Sequence, residues 1–169
     1  MSLPDWAQVT PERRAHTERV VALLNEWANV MHVSAAERDR WLRAGWLHDA
    51  LRDSPFKDPT AHGPAAAVRA VETGERDQGV LDAVRYHTVG SADWDDVGKM
   101  LYLADFLEPG RDRGSVDNDR EPLARRVPTE RDAVLREVAR RRLDWVVRSG
   151  WPLPAATVAF WNKLVANSP

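Results

Sequence analysis

The sequence predicts an all-helical protein, a bundle of about six to seven helices. Apolar residues recur at intervals of three and four along several segments, whereas no segment shows the sustained alternation that is typical of a strand. Side chains that commonly cap helices stand before three of these segments, at Thr10, Ser34 and Thr129. The length of 169 residues is that of one ordinary domain, so we expect residues 1–169 to form a single domain.

Two helices are predicted in the first part of the chain. Thr10, followed by a proline and an acid, is a typical helix start, and the apolar stripe that follows continues to about Met31. His16 lies on the same face as this stripe, so we expect its imidazole to point inward. Ser34 and Glu37 have capping-box spacing and start a second helix, which carries the sequence WLHD towards its C-terminal end.

Three further helices are predicted in the middle of the chain. A short alanine-rich helix follows the polar segment RDSPFKDPTAHGP and ends near Gly74. A fourth helix covers about residues 77–87. The fifth places Asp105 on an apolar face and ends at Pro109. A carboxylate on such a face requires a partner.

The C-terminal part of the sequence begins with a predicted loop. The stretch PGRDRGSVDNDREPLARRVP has the turn-forming and charged composition of a long loop, which compact domains usually keep for function. A helix is predicted from Thr129 to Gly150, and a last short one over residues 155–166. The arginine-rich run over residues 136–142 is interpreted as a solvated helix face. The eight tryptophans, at helical spacing, are interpreted as core residues.

The composition excludes several classes of site and partner. Because there is no cysteine, any metal must be held by nitrogen and oxygen. The formal net charge of −2 gives no general attraction to nucleic acid or anionic lipid. The N-terminal residues lack the apolar run of a signal peptide, and no later stretch is long and apolar enough to span a bilayer. We therefore expect a cytoplasmic protein without nucleic-acid or membrane partners.

A set of histidines and aspartates predicts a metal site. Of the five histidines, only His32 falls where no helix face or helix start points at the core. His48 and Asp49 are adjacent and differ by about 100° around a helix, yet both can reach one ion where helices converge. His16 and Asp105 add one ligand from each of two further helices, which gives two imidazoles and two carboxylates around one ion.

The donor set indicates the chemistry. Nitrogen and oxygen donors without sulfur suit iron, manganese, cobalt, nickel or zinc. Such an ion can lower the pKa of bound water to about 7 and polarise a phosphoryl oxygen, which predicts hydrolysis of a phosphoester or phosphoanhydride. His62 and His87 are candidates to bind a second ion or to contact phosphate directly.

Each candidate also has a plain structural interpretation. A histidine on an apolar face, such as His16, can be a satisfied core residue, and His48 with Asp49 can simply end a helix. Asp105 can be a buried ion-pair partner, for example of Lys99. The two later histidines can be hydrogen-bonding groups of the surface.

The order H…HD…H…H…D resembles the signature of the HD phosphohydrolase superfamily. The stretches RRAHTERV, AGWLHDALRD, AHGPAAA, YHTVGSADWDDVGKMLYLADFLEPGR and WPLPAATVAFWNKLV are similar to the YqeK-type symmetrical bis(5′-nucleosyl)-tetraphosphatases. The resemblance spans nearly the whole chain, and its most specific part is the stretch around YHT…G…K…LADFLEPGR. It implies an HD-domain helical bundle that hydrolyses diadenosine tetraphosphate to two ADP, usually with iron.

The resemblance also implies roles for individual residues. The implied metal ligands are His16, His48, Asp49 and Asp105. The implied catalytic residues are His48, Asp49, His62 and His87. The implied substrate-binding residues are Arg52, His62, His87, Thr88 and Arg111. Arg52 stands where the family usually has lysine, and Arg111 can equally be a solvated loop residue.

Two other functions stay open on the sequence alone. The first is an HD-class nucleotidase or phosphomonoesterase that acts on another nucleotide. The second is a non-catalytic module that binds a nucleotide or a metal and reports it to a partner. The expected partner of the enzyme is a small-molecule nucleotide substrate, and a homodimer is left open.

Overall fold

The structure is a computed structural model that describes residues 1–110 and 119–166. Over these ranges the chain forms seven α-helices and no strand, so the predicted all-helical fold is confirmed. The helices are α1 (Pro11–Val30), α2 (Ala35–Leu47), α3 (His62–Glu72), α4 (Gln78–Tyr86), α5 (Asp96–Leu107), α6 (Arg120–Arg148) and α7 (Ala155–Ala166). None of the described helices combines the length and the apolar character needed to cross a bilayer.

Local capping sets the start of four of these helices. The hydroxyl groups of Thr10 and Ser34 each accept a backbone N–H from the first turn of α1 and α2, at 3.2 and 3.1 Å. The carboxylates of Asp77 and Asp95 do the same for α4 and α5, at 3.1 and 3.0 Å. Each cap satisfies a backbone donor that the helix itself cannot pair, which explains why sequence patterns located these starts well.

Helix α5 lies at the centre of the bundle. It packs against α1, α2, α4 and α6, and every residue from Met100 to Leu107 is buried. A helix that is apolar on nearly all sides is stable only when other helices surround it. Asp105 therefore sits inside the protein, where the other elements converge.

The N-terminal segment fixes the turn that follows α2. The Gln8 N–H donates to the carbonyl of Ala50 at 2.7 Å, and the Thr10 N–H donates to Oδ2 of Asp53, also at 2.7 Å. These bonds tie the residues around Asp49 to the start of α1. The turn is thereby held against the helix that carries His16.

The prediction of a long loop over residues 109–128 is wrong for the second half of that stretch. Residues from Arg120 onwards are helical, and the predicted start at Thr129 is instead a kink, where Glu130 has φ −132° and ψ 32°. The apolar pair Leu123 and Val127 is buried at helical spacing, and Pro122 lies in the first turn, where no backbone N–H is needed. Burial against the bundle thus extends α6 back through a segment whose charges and prolines predicted a loop.

The interpretation of all tryptophans as core residues is also wrong. Trp27, Trp41 and Trp94 are buried, but Trp145 and Trp151 are 56% and 53% exposed. These two rings pack edge to face with their centroids 4.8 Å apart. Trp145 lies near the C-terminal end of α6 and Trp151 in the segment after it, where residues are mostly exposed, and helical spacing alone did not separate these two from the core.

Candidate metal centre

Six buried polar side chains from the first five helices converge at one point of the bundle. His16 lies on α1, His48 and Asp49 follow α2 directly, His62 begins α3, His87 follows α4 and Asp105 lies on α5. Each of the six residues is at most 5% exposed. Buried polar groups require partners, so the contacts between them decide what the cluster can do.

Asp49 lies between two pairs of histidines. Its Oδ1 is 3.2 Å from Nε2 of His62 and 3.3 Å from Nε2 of His87. Its Oδ2 is 3.6 Å from Nε2 of both His16 and His48. One carboxylate therefore faces four imidazole nitrogens, two on each oxygen.

Asp105 joins the cluster on the side of His16 and His48. Its Oδ1 lies 3.2 Å from Nε2 of His16 and 4.0 Å from Nε2 of His48. The structure thus brings together the four residues predicted as ligands. The two histidines predicted as a second site are also adjacent to one another, with their Nε2 atoms 3.0 Å apart.

Backbone carbonyls orient three of the four imidazoles. Each of these rings makes its Nδ1 contact with the carbonyl three residues earlier, and the pairs are His48 with Gly45 (2.7 Å), His62 with Pro59 (2.8 Å) and His87 with Val84 (2.7 Å). A carbonyl can only accept, so Nδ1 carries the proton in each ring. The Nε2 atom, which faces the cluster, then presents its lone pair, as a metal ligand must.

The fourth imidazole, His16, is oriented by a buried carboxylate that the sequence analysis did not single out. Its Nδ1 lies 3.0 Å from Oε1 of Glu108, a residue only 1% exposed. Arg19 and the Gly110 N–H donate to Oε2 of the same carboxylate, at 2.5 and 2.7 Å. Burial alone would raise the pKa of Glu108, but these donors lower it to about 2, so the group is ionised at neutral pH.

Two arginines also contact the cluster. Arg13 Nη1 donates to Oδ2 of Asp49 at 2.8 Å. Arg142 Nη2 donates to Oδ2 of Asp105 at 2.8 Å, and its guanidinium carbon lies 4.2 Å from the ring centroid of Tyr102. The interpretation of residues 136–142 as a solvated face is therefore wrong at Arg142, because this side chain turns inward between α5 and α6.

The partner of Asp105 differs from the one considered on the sequence. Lys99 lies near Asp96 at 3.7 Å, three residues away on the same helix. Arg142 approaches from another helix and occupies one carboxylate oxygen of Asp105, while the other oxygen faces His16. Asp105 is thus both an ion-pair partner and a member of the cluster.

Burial sets the charge state of the cluster. Removal from water lowers the pKa of His48 to about 4, so this imidazole is neutral at pH 7. Burial acts to raise the pKa of Asp49, but the neighbouring histidines, when protonated, hold it well below its ordinary value, His48 through its charge and His62 and His87 through hydrogen bonds. Neutral imidazole and ionised carboxylate are the forms that bind a metal.

The residues present fit a metal ion. One possible ligand group contains His16, His48 and Asp49, a second contains Asp49, His62 and His87, and within each group the ligand atoms lie within 4.8 Å of one another. Nε2 of His48 is buried and makes no hydrogen bond to any described residue. A buried nitrogen directed at carboxylate oxygens suits a divalent cation, and Asp49 is common to both groups.

The remaining predicted site residues lie at different distances from the cluster. The Thr88 hydroxyl is 3.2 Å from Nε2 of His87. Arg52 reaches the carbonyl of Pro59 at 3.5 Å, and no hydrogen bond or ion pair joins it to the cluster among the described residues. Arg111 lies outside the described residues. His32 is exposed and has φ 53° in the turn after α1, away from the cluster.

Comparison with known proteins identifies the family. The HD domain family model matches residues 13–135. The chain is similar to two proteins named symmetrical bis(5′-nucleosyl)-tetraphosphatase. The one from Bacillus subtilis is 32% identical over 108 residues, and the one from Halalkalibacterium halodurans is 26% identical over 145 residues. These alignments cover 63% and 83% of this chain, and 56% and 75% of the two relatives, so the first spans little more than half of its relative.

A third relative and a solved structure are also similar to this chain. The Staphylococcus aureus protein of the same name is 41% identical over 61 residues, which is 36% of this chain and 31% of that protein. A crystal structure from Clostridium acetobutylicum, described as a predicted HD superfamily hydrolase involved in NAD metabolism, has a TM-score of 0.79 and 20% identity over 95% of this chain and 92% of that chain. It shares the fold, and the family model covers most of the sequence. The chain belongs to the HD domain family, as its histidine and aspartate pattern predicted.

Proposed function

We propose that the protein is a metal-dependent phosphohydrolase that cleaves dinucleoside polyphosphates, and diadenosine tetraphosphate to two ADP in particular. The observation that carries this proposal is the position of Asp49, whose two oxygens face two pairs of buried imidazole nitrogens. The names of three relatives support the choice of substrate. Iron is the proposed native metal, because the resemblance implies it.

His16, His48, Asp49 and Asp105 would hold the metal. When bound, such an ion lowers the pKa of a coordinated water and polarises a phosphoryl oxygen. The chain's own contribution is to fix the donors in advance, with each imidazole oriented through its Nδ1 contact. Burial of the whole set strengthens its electrostatic interactions with charge that develops on the phosphate.

His62 and His87 are proposed to act next to this centre. Their Nε2 atoms lie beside Oδ1 of Asp49, whereas His16 and His48 face Oδ2. At this position they can bind a second ion or, when protonated at Nε2, donate to a phosphate oxygen. Thr88, which touches His87, and the basic residues Arg52 and Arg111 are proposed to contact the polyphosphate further out.

Symmetrical cleavage follows if one ADP unit is held on the side of His62 and His87. The second phosphate from that nucleoside then lies at the metal centre, and in-line attack by water breaks the central anhydride bond.

ADP should inhibit the enzyme competitively, because it fills the same half of the site. Initial rates at several fixed ADP concentrations test this, and a maximal rate that falls while KM stays constant would contradict the half-site arrangement.

A nucleotide panel tests the proposed substrate class. Metal-loaded protein should hydrolyse diadenosine tetraphosphate and leave AMP and dAMP intact, because monophosphates lack the anhydride. Phosphate release from AMP or dAMP would support the nucleotidase instead. Binding of ADP without turnover of any polyphosphate would support the non-catalytic module. Each outcome is read by chromatography of the products and a phosphate assay.

His62→Ala and His87→Ala should each keep metal at the first ligand group but lose activity. Removal of one electrostatic contact to a reacting phosphate typically costs about 10² to 10³-fold in rate. Metal analysis of the purified variants and initial rates with diadenosine tetraphosphate measure the two effects separately. Complete loss of metal in either variant, together with normal metal content in Asp105→Ala, would mean that the primary ligands are assigned wrongly.

A further inference from the structure

Glu108 has a contact that sets His16 apart from the other histidines of the cluster. His48, His62 and His87 each place Nδ1 against a neutral carbonyl three residues earlier. His16 instead places Nδ1 against a carboxylate from the end of α5, that of Glu108, at 3.0 Å. No other described histidine of the cluster has a carboxylate at this nitrogen.

The carboxylate is held so that one oxygen serves His16. Arg19 Nε and the Gly110 N–H donate to Oε2, at 2.5 and 2.7 Å. Nδ1 of His16 lies 3.0 Å from Oε1, and Nη2 of Arg19 lies farther from the same oxygen, at 3.3 Å. Because Glu108 is 1% exposed, water does not compete for this oxygen. The imidazole therefore meets a carboxylate acceptor whose position is fixed.

We propose that Glu108 is a positioning residue, which holds the Nδ1 proton of His16 and strengthens its Nε2 atom as a metal ligand. A carboxylate at the distal nitrogen fixes the ring and makes the ligand more basic, and loss of such a partner typically costs about 10 to 100-fold in metal affinity. Glu108 follows Asp105 by one helical turn, so one end of α5 supplies both a proposed ligand and the group that orients another. The inference rests on the metal site of the proposed function.

A merely structural role for Glu108 predicts something different. Its bond with Arg19 links α5 to α1, so its loss could lower stability without any effect on the metal. Glu137 provides a control, since its carboxylate also pairs with arginine, in this case with Arg140 at 3.0 Å and Arg141 at 2.7 Å. Glu137 lies on α6 and contacts no residue of the cluster among the described residues.

Zn²⁺ affinity, measured by competition with a chromogenic chelator, tests the proposal. Glu108→Gln keeps the shape but removes the charge, and should weaken Zn²⁺ binding about 10-fold, whereas Glu108→Ala should approach 100-fold. Glu137→Gln should bind Zn²⁺ as the wild type does. Equal affinity of wild type and Glu108→Gln would overturn the proposal, and this variant decides the question even if the alanine variant does not fold.

An NMR signal supplies a second reading that needs no substrate. In the Zn²⁺-loaded wild type, the Nδ1 proton of His16 should give a downfield resonance, because it is hydrogen-bonded to a buried anion. The resonance should move upfield in Glu108→Gln and stay unchanged in Glu137→Gln. An unchanged resonance in Glu108→Gln would overturn the proposal. A wild type that binds Zn²⁺ but hydrolyses no polyphosphate would instead contradict the proposed function alone.

Discussion

Asp49→Ala should abolish both metal binding and hydrolysis while the helical far-UV signal stays nearly intact. Asp49 is common to both possible ligand groups, so its removal takes a charged donor from each of them. The fold should persist because Asp49 lies in the turn after α2, outside the apolar core. Its partner Arg13 is 22% exposed at the side chain and can turn towards water. Metal analysis, circular dichroism and initial rates measure the three properties.

His32→Ala is the matched control for this substitution. His32 is exposed and belongs to no ligand group among the described residues, so its variant should have the metal content and activity of the wild type. Normal metal content in Asp49→Ala would contradict the assignment of the centre. Loss of helical signal in the same variant would instead show that the cluster is needed for folding.

Arg142→Ala should destabilise the protein by about 3–5 kcal/mol, because breaking a buried ion pair leaves the partner's charge uncompensated. Arg142 donates to Asp105 at 2.8 Å, to the His87 carbonyl at 3.3 Å and to the Tyr102 carbonyl at 3.4 Å. Its guanidinium also covers the ring of Tyr102. The free energy of unfolding in urea, measured on metal-free protein, checks this without any contribution from bound metal.

Arg140→Ala is the control within the same arginine run. Arg140 is 55% exposed at the side chain and pairs only with Glu137 among the described residues. Exposed pairs of this kind contribute about 0–1 kcal/mol, so the variant should unfold nearly as the wild type does. Similar losses of stability in both variants would contradict the inward position of Arg142 and restore the solvated-face interpretation.

Much of the fold could be predicted because helix starts depend on local chemistry. Thr10 and Ser34 each satisfy the backbone donor three residues later, and this relation is visible in the sequence. The start of α6 depends instead on contacts with distant residues. Trp27 Nε1 donates to the carbonyl of Ala124 at 3.1 Å, and Leu123 is buried. Predictions from local sequence, which rely on prolines and charges, cannot include contacts between residues far apart in the chain.

The sequence predicted the residues of the cluster, but it did not predict the residues that contact them. Histidine and aspartate on apolar helix faces are unusual enough to suggest a common site, and the structure brings His16, His48, Asp49 and Asp105 together. Glu108 and Arg142 belong to residue types that normally lie in solvent. Only the packing of α5 against α1 and α6 shows that they are buried. For Glu108, a clue was present in its position one turn after Asp105.

The most direct test of the central claim is a chromatographic time course with diadenosine tetraphosphate, run in parallel on metal-loaded wild type and Asp49→Ala. We expect ADP as the product from the earliest time point in the wild type, without ATP or AMP, and no product in the variant. ATP and AMP formed early in equal amounts would contradict symmetrical cleavage. Equal rates of ADP formation in the two proteins would contradict the assignment of catalysis to the cluster around Asp49.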